Sequence, residues 1–254
     1  MRVREILAGK TPIDVDATTS TIRYPLGWHH LAVVLWYPEA GADGDELPGL
    51  QRFLRELGEA AGVGANPLFV PVDRSSGWGW LPFRSASPEA IEKARQFALT
   101  RADSPSAGIG TIGAGIAGFR RLHWRALVRS VAVARGPHEH SVIAATESGL
   151  SMAALVAGDI NTVRDWVTEV LGDLAADTDN DARLRETLRV FLAGGASYKL
   201  AAEQLTLHFN TVKYRVGRAT ARRGRPISTD RLDVELALLL CQWYGKAVLQ
   251  PRPA

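Results

Sequence analysis

The sequence has a single cysteine and no apolar run long enough to cross a membrane. Cys241 by itself excludes an internal disulfide and a thiolate zinc cluster, and it lies in the apolar run ELALLLCQW, where a small buried residue is expected. No window approaches the roughly 18 consecutive apolar residues of a transmembrane helix. The amino-terminal stretch MRVREILAGK also lacks the apolar segment of a signal peptide. These absences favour a cytoplasmic protein that does not span a membrane.

Acidic residues are missing where a nucleotide-binding turn would need one. The stretch GIGTIG, from Gly108 to Gly113, fits the G-x-G-x-x-G pattern. In a βαβ unit that pattern requires an acid about 20 residues later to hold the ribose. No Asp or Glu occurs between Asp103 and Glu139. We therefore interpret Gly110 and Gly113 as residues that let the chain turn tightly off a strand.

An alternative for the same segment stays open. The helix expected after the glycines is rich in arginine and has no acid, and the N-terminus of a helix can hold a phosphate. The alternative function is a nucleotide- or phosphate-binding enzyme that uses Gly108–Gly113 with Arg120 and Arg121. Its candidate anion contacts are Gly110, Gly113, Arg120 and Arg121, and further arginines follow at 125, 129 and 135.

Positive charge is concentrated near the carboxyl-terminal end, although the whole chain carries only +3. Between Ser197 and Arg225, seven basic residues stand against one acid, Glu203, so this block has a charge of +6 and the rest of the chain −3. Duplex DNA is the commonest partner of such a block, and a solvated basic helix face is the alternative. The basic residues are Lys199, Lys213, Arg215, Arg218, Arg222, Arg223 and Arg225.

Hydrophobic periodicity predicts an α+β domain in the first part of the chain. Strands are expected at LAVVLWY, PLFVPV, GWGWLPF, SAGIG and HSVIAAT. Helices are expected at LPGLQRFLRELGEAAG, after the N-cap Ser87, and from about Gly115 to Ala134. The order β-α-β-β-α-β, followed by one more helix and strand, is a ferredoxin-like layout in which two helices cover one face of the sheet.

The part of the chain after this α+β domain is predicted to be helical. A connecting helix begins after Asp159, and the acidic stretch ADTDND, from Ala176 to Asp181, is the best candidate for a domain boundary. Four helical segments follow, with the last, Arg231 to Trp243, apolar around much of its circumference. An all-α domain is therefore expected from Asp181 onward.

Two of these segments have the pattern of a helix-turn-helix. Ala201 and Ala202 allow two helices to cross closely, and the linker Thr206-Leu207-His208 has the length that the motif needs. Thr206 stands where glycine is common, so the turn is expected to form without an easy left-handed residue. The second helix should enter the major groove. Its candidate base contacts are Phe209, Asn210, Lys213 and Tyr214, and its candidate phosphate contacts are Thr211, Arg215, Arg218 and Arg222.

This segment resembles the C-terminal helix-turn-helix of PucR/CdaR-type transcriptional regulators. The family core H-x-N-T-V-[RK]-Y-R is present from His208 to Arg215, and the likeness covers about Asp181 to Tyr244. Upstream, GIGTIGAGIAGFRRLHWRAL resembles part of a GGDEF-like domain over about Trp28 to Thr146, with Leu122 replacing the usual serine. The resemblance implies five parts: a lead-in segment 1–27, a GGDEF-like domain 28–146, a connecting helix and linker 147–180, a helix-turn-helix domain 181–245 and a tail 246–254.

The resemblance also implies the function. It predicts a regulator that binds double-stranded DNA as a homodimer, with a small-molecule effector that the sequence does not identify and without the further N-terminal sensory domain of many relatives. True GGDEF domains are diguanylate cyclases, but the hairpin DRSSGWGWLPF contains only one acid, Asp73. We therefore expect a degenerate, non-catalytic domain for dimerisation or signal response, without a cofactor.

Histidine pairs are the remaining candidate metal ligands. His138 and His140 flank Glu139 in a Gly-Pro loop that has no further clustered ligands, so a solvated turn is expected there. His29 and His30 open a strand, where one ring should be packed and the other exposed. No metal site is predicted.

Overall fold

The computed structural model describes residues 2–8, 14–37, 46–101, 105–121, 140–156 and 159–251. These residues divide into two compact units, one up to Ser151 and one from Met152 onward. Within the described ranges, no helix is both long enough and apolar enough to cross a membrane. Several residues singled out above lie outside the described residues, namely Leu122, Arg125, Arg129, Arg135, His138 and Glu139. The helix expected from about Gly115 to Ala134 ends at Arg120, because Arg121 has a non-helical conformation, and positions 122–134 are not among the described residues.

The first unit contains a five-stranded sheet in the order β2-β3-β1-β4-β5. Its strands are β1 (His29–Trp36), β2 (Leu68–Pro71), β3 (Ser76–Phe83), β4 (Ser106–Ala114) and β5 (Val142–Ala144). Its helices are α1 (Arg2–Ala8), α2 (Val15–Ile22), α3 (Leu47–Ala61), α4 (Pro88–Leu99) and α5 (Gly115–Arg120). A further helix, α6, spans Leu150–Val156.

The strand pairing confirms the ferredoxin-like layout. β1 is antiparallel to both β3 and β4, β2 is antiparallel to β3, and only β5 is parallel to its neighbour β4. Because β3 lies between β1 and β2, the first βαβ unit is split, as the order of strands and helices predicted.

Both faces of the sheet are covered. On one face, the side chains of β1 that alternate from Leu31 pack with α3 and α4, and the helical spacing predicted for α3 is confirmed by its buried Leu50, Phe53, Leu54 and Leu57. On the other face, Trp80 stacks on Phe119 with ring centroids 4.6 Å apart. The indole Nε1 of Trp80 also donates to the Phe119 carbonyl over 3.0 Å.

The glycines of GIGTIG do not form the predicted turn. β4 continues to Ala114, so Gly110 and Gly113 lie inside the strand and are buried. A Cβ on Gly113 would come within 2.5 Å of the Gly118 Cα. The turn follows at Gly115, which has a φ of 54°. The expectation was wrong because both glycines belong to the strand, and Gly113 allows α5 to pack closely on it, which a local pattern does not reveal.

The second unit is all-helical, so the predicted order of an α+β domain and then an all-α domain is confirmed. Its main helices are α7 (Ile160–Leu171), α8 (Asp179–Ala193), α9 (Tyr198–Leu205), α10 (Phe209–Arg223) and α11 (Arg231–Tyr244). Short 3₁₀ helices cover Gly172–Ala175, Ile227–Thr229 and Gly245–Val248. The connecting helix α7 packs against α11 and α10, with Val163, Val167, Val170 and Leu171 buried.

Candidate nucleic-acid interface

α9 and α10 form the two helices of the motif, and each begins at a side-chain cap. Ser197 Oγ accepts the Leu200 amide at 3.3 Å at the start of α9. His208 Nδ1 accepts the Asn210 amide at 3.2 Å at the start of α10. The sequence places His208 in the linker and in the family core but does not identify it as a cap, because histidine is not among the usual N-caps. The cap fixes the point at which the second helix starts.

The turn between them is tight and includes a left-handed threonine. Thr206 has φ 53° and ψ 44°, contrary to the expectation that the turn would avoid this conformation. The Leu207 amide donates to the Ala202 carbonyl over 2.9 Å, which satisfies an otherwise unpaired group at the end of α9. Closure of the helix end by this bond offsets the strain of the β-branched residue.

The inner faces of the two helices pack as predicted. Ala201 is completely buried and Ala202 is nearly so, and Val212 and Val216 of α10 are buried too. Small residues at this crossing let the helix backbones approach, while Leu205 and Leu207 are only half-buried around it. The opposite face of α10 is consequently turned to solvent.

The predicted base contacts lie at the exposed side of α10. Asn210, Lys213 and Tyr214 are spaced by three and four residues, so they share one face. All three are exposed, and Tyr214 is 67% exposed. Phe209 is 45% exposed and stands on the flank, where its ring meets that of Tyr198 edge-on at 5.8 Å.

The predicted phosphate contacts divide into two groups. Thr211, Arg215 and Arg218 are spaced by four and three residues and line one flank of α10. Neither arginine has an ion pair or side-chain hydrogen bond to another described residue. Arg222 differs, because its guanidinium is bonded to the buried carboxylate of Asp181. The structure thus places the Arg222 guanidinium in an ion pair within its own unit.

Pairing also reduces the effective charge of the basic block. Arg223 and Arg225 both pair with Asp230, and Arg222 pairs with Asp181. The basic residues of the block without a partner among the described residues are Lys199, Lys213, Arg215 and Arg218. The unpaired charge is therefore concentrated on α9 and the first three turns of α10, rather than spread over the whole block.

The segment from Gly108 to Arg121, which the alternative function would use, is involved in packing within the first unit. Gly110 and Gly113 are interior residues of β4, as described above. Arg120 Nε donates to the Ile6 carbonyl over 2.7 Å, and the Arg121 amide donates to the Gly118 carbonyl over 3.2 Å. The arrangement that the alternative function needs, a glycine loop leading into a helix N-terminus, is absent from this part of the structure.

The acid of the hairpin and the lone thiol have structural roles. Asp73 accepts the Ser75 amide at 3.0 Å and the Ser76 hydroxyl at 2.7 Å, which closes the turn between β2 and β3. Cys241 is buried, and burial raises the pKa of its thiol to about 12. Among the described residues, no group of three or more His, Cys, Asp or Glu side chains is arranged to hold a metal ion.

Two crossing helices joined by a short turn, with an exposed basic second helix, define a protein of the helix-turn-helix DNA-binding class. Residues 184–240 match the model of the PucR C-terminal helix-turn-helix domain, and residues 8–129 match that of the GGDEF-like domain. Together the matched segments cover well over half of the chain. The chain belongs to the PucR/CdaR-type transcriptional regulators and is a DNA-binding protein.

Comparison with individual proteins adds little to this assignment. No curated protein matches the chain. Among solved structures, it is similar to a regulator of polyketide synthase expression from Bifidobacterium adolescentis, with 17% identity, 94% of this chain and 89% of that chain covered, and a TM-score of 0.39. At that TM-score, the family assignment rests on the two domain matches.

Proposed function

We propose that this regulator reads duplex DNA with the exposed face of α10, as a homodimer, and that its GGDEF-like domain has no catalytic activity. The observation that carries the proposal is the face formed by Asn210, Lys213 and Tyr214, which is exposed on the helix after the turn. A helix-turn-helix presents this part of its second helix to the major groove.

The chemistry of this face suits base edges. An Asn amide can bond adenine bidentately, and a Lys ammonium can donate to the N7 and O6 acceptors of guanine. Asn210 and Lys213 supply these groups, and Phe209 offers an apolar edge for a thymine methyl. Tyr214 adds a hydroxyl and an exposed ring beside them. We assign base contacts to these four residues.

Phosphate contacts are proposed for the adjoining flank, Thr211, Arg215 and Arg218. These residues share one side of α10, so they can follow one DNA strand while the neighbouring face enters the groove. Arg218 is exposed and the other two are half-buried. We omit Arg222 from this set because its guanidinium is engaged with Asp181.

A homodimer follows from the size of the motif. One helix-turn-helix contacts only a short half-site, and two-fold dimers place two such helices about 34–36 Å apart on one face of the duplex.

The hairpin of the first unit supports the proposal that the GGDEF-like domain is not catalytic. The only acid of this hairpin, Asp73, is used to close the turn. A non-catalytic role in dimerisation or in response to an effector is consistent with that use.

The test is fluorescence anisotropy with a duplex enriched by in vitro selection, at several salt concentrations. The wild type should bind tightly with a steep salt dependence. Asn210→Ala should lose preference for the selected sequence, whereas Arg218→Ala should weaken binding to all duplexes and lower the salt slope by about 1.

Arg183→Ala is the matched control. Arg183 is an exposed arginine on α8, outside the two crossing helices, so its loss removes one positive charge without touching the proposed interface. Binding should change little. If no duplex is enriched, or if Asn210→Ala and Arg183→Ala behave alike, the proposal is wrong.

A further inference from the structure

We propose that Arg222 and Arg223 are positioning residues that do not contact DNA phosphates. They bind the C-terminal end of α10 to α8 and to the connecting segment, which comprises α7 and the 3₁₀ helix Gly172–Ala175. This inference rests on the proposed function of α10. It also makes α7 and the 3₁₀ helix after it part of the DNA-reading unit, although they lie in the interval 130–183 that neither family model covers.

The guanidinium of Arg222 forms a bidentate ion pair with a buried carboxylate. Its Nε and Nη2 lie 3.0 Å from Oδ1 and Oδ2 of Asp181, whose side chain is 3% exposed. Thr178 Oγ1 donates to the same carboxylate over 2.7 Å, so the acceptor is fixed at the start of α8. A second bond from Nη2 reaches the Asp173 carbonyl over 2.9 Å. These bonds of the Arg222 guanidinium therefore connect α10 both to α8 and to the connecting segment.

Arg223 ties the same end of α10 to α7 and α11. Its side chain is completely buried and forms an ion pair with Asp230, the residue before α11. Nε donates to the Val170 carbonyl near the end of α7, and Nη1 donates to the Pro226 carbonyl, both over 2.8 Å. A buried guanidinium with this many partners is costly to disturb, because the Val170 and Pro226 carbonyls would lose its hydrogen bonds and the Asp230 carboxylate would keep only Arg225 as an ion-pair partner.

The backbones meet at the same place. Gly172 has a φ of 56°, and a Cβ there would lie 2.9 Å from the Arg223 carbonyl oxygen. The connecting segment thus contacts the last turn of α10 directly. Arg222 and Arg223 stabilise this contact through their bonds to the carbonyls of Asp173 and Val170. Any displacement of α7 would change the direction in which α10 presents Asn210 and Lys213.

A positioning role and a phosphate-binding role for Arg222 predict opposite changes in DNA affinity for the same substitution. Asp181→Asn removes a negative charge from the DNA-binding unit and releases Arg222. If Arg222 were a phosphate contact, binding should become tighter. If the ion pair positions α10, binding to the selected duplex should become weaker while non-specific binding changes less.

The experiment measures anisotropy of the full chain with the selected duplex across a salt series. Arg222→Ala should weaken specific binding and leave the salt slope at the wild-type value, whereas Arg218→Ala lowers it by about 1. Arg222→Lys should not restore affinity, because an ammonium cannot form the two-pronged bond. This variant keeps the charge and most of the packing, so it remains folded if Arg222→Ala or Asp181→Asn does not.

Three results would overturn the inference. They are a lower salt slope in Arg222→Ala, wild-type affinity in Arg222→Lys, or tighter binding in Asp181→Asn. Any of these with a sequence-selective wild type and a damaged Asn210→Ala contradicts the positioning role alone. A wild type that selects no duplex contradicts the proposed function and this inference together.

Discussion

Tyr24 and His30 are hydrogen-bonded in the interior of the first unit, with Tyr24 Oη 2.8 Å from His30 Nδ1. The other ring nitrogen, Nε2, lies 3.1 Å from the Leu26 carbonyl, so it donates there and Nδ1 accepts from the tyrosine. Both side chains are almost completely buried, and His30 lies edge-on to Phe119. The arrangement suits a neutral imidazole, because a second proton on Nδ1 would take away the acceptor to which the tyrosine hydroxyl donates.

The stability of the first unit should therefore decrease in mild acid. Burial lowers the pKa of His30 below its usual range, although the hydrogen bond to Leu26 opposes this effect. In the unfolded chain the imidazole binds a proton near pH 6.5. The contribution to stability is complete above that pH and is lost as the pH falls through the lower pKa of the folded state.

Thermal unfolding between pH 8 and pH 5, followed by tryptophan fluorescence, measures this loss. His30→Gln should flatten the dependence of the melting temperature on pH, because a neutral amide replaces the titrating ring. His29→Gln, at the neighbouring half-buried position, is the control and should retain most of the dependence. A His30→Gln protein with the wild-type dependence would contradict the prediction.

Thr206→Gly should stabilise the helical unit by about 1 kcal/mol, because glycine adopts the left-handed conformation without the penalty of a β-branched side chain. The measurement is thermal unfolding followed by circular dichroism. Thr220→Gly, within α10, is the matched control and should destabilise by a similar amount. Equal destabilisation by both substitutions would show that the Thr206 side chain contributes more than its backbone costs.

Two glycines of the second unit should respond oppositely to alanine. A Cβ on Gly217, in the middle of α10, meets nothing within 4 Å, so Gly217→Ala should stabilise by up to about 1 kcal/mol. Gly172 has a positive φ and lies against the Arg223 carbonyl, so Gly172→Ala should destabilise. Melting temperatures of the two variants test the pair, and a stabilising Gly172→Ala would contradict the close contact.

Cys241 should be unreactive in the folded chain. Its pKa of about 12 leaves almost no thiolate at pH 8, and its burial keeps reagents away. Titration with a thiol-reactive disulfide should give no fast reaction until denaturant is added, when one thiol per chain should react. Rapid modification of the native protein would show that α11 opens readily.

The strands, the buried face of α3 and the helix-turn-helix could be predicted from the sequence because their signals are local. Alternating or helical spacing of apolar residues identifies β1 and α3 without knowledge of their partners. The run from His208 to Arg215 likewise identifies the second helix of the motif through its resemblance to the family core, and buried and exposed positions alternate within it at helical spacing. The structure confirms the fold that these patterns predicted.

The expectations that failed depended on contacts that the residue types alone do not show, even though the contacting residues are close in sequence. Gly113 seemed to mark a turn, but it is glycine because Gly118 packs on it. Thr206 was expected to avoid the left-handed region, but the bond between Leu207 and Ala202 holds it there. Neither reason is visible in the residue alone, because each depends on what the folded chain brings against it.

Local patterns suffice to identify the kind of protein: an α+β domain followed by a helix-turn-helix with a basic second helix. They do not show which of those basic residues are paired within the chain, because that follows from how the helices pack. Arg222 meets Asp181 from 41 positions away, and Arg223 meets Asp230 and Val170 across separate helices. Charge is additive along a sequence, but its availability depends on pairing in space, and pairing is fixed only when the helices pack.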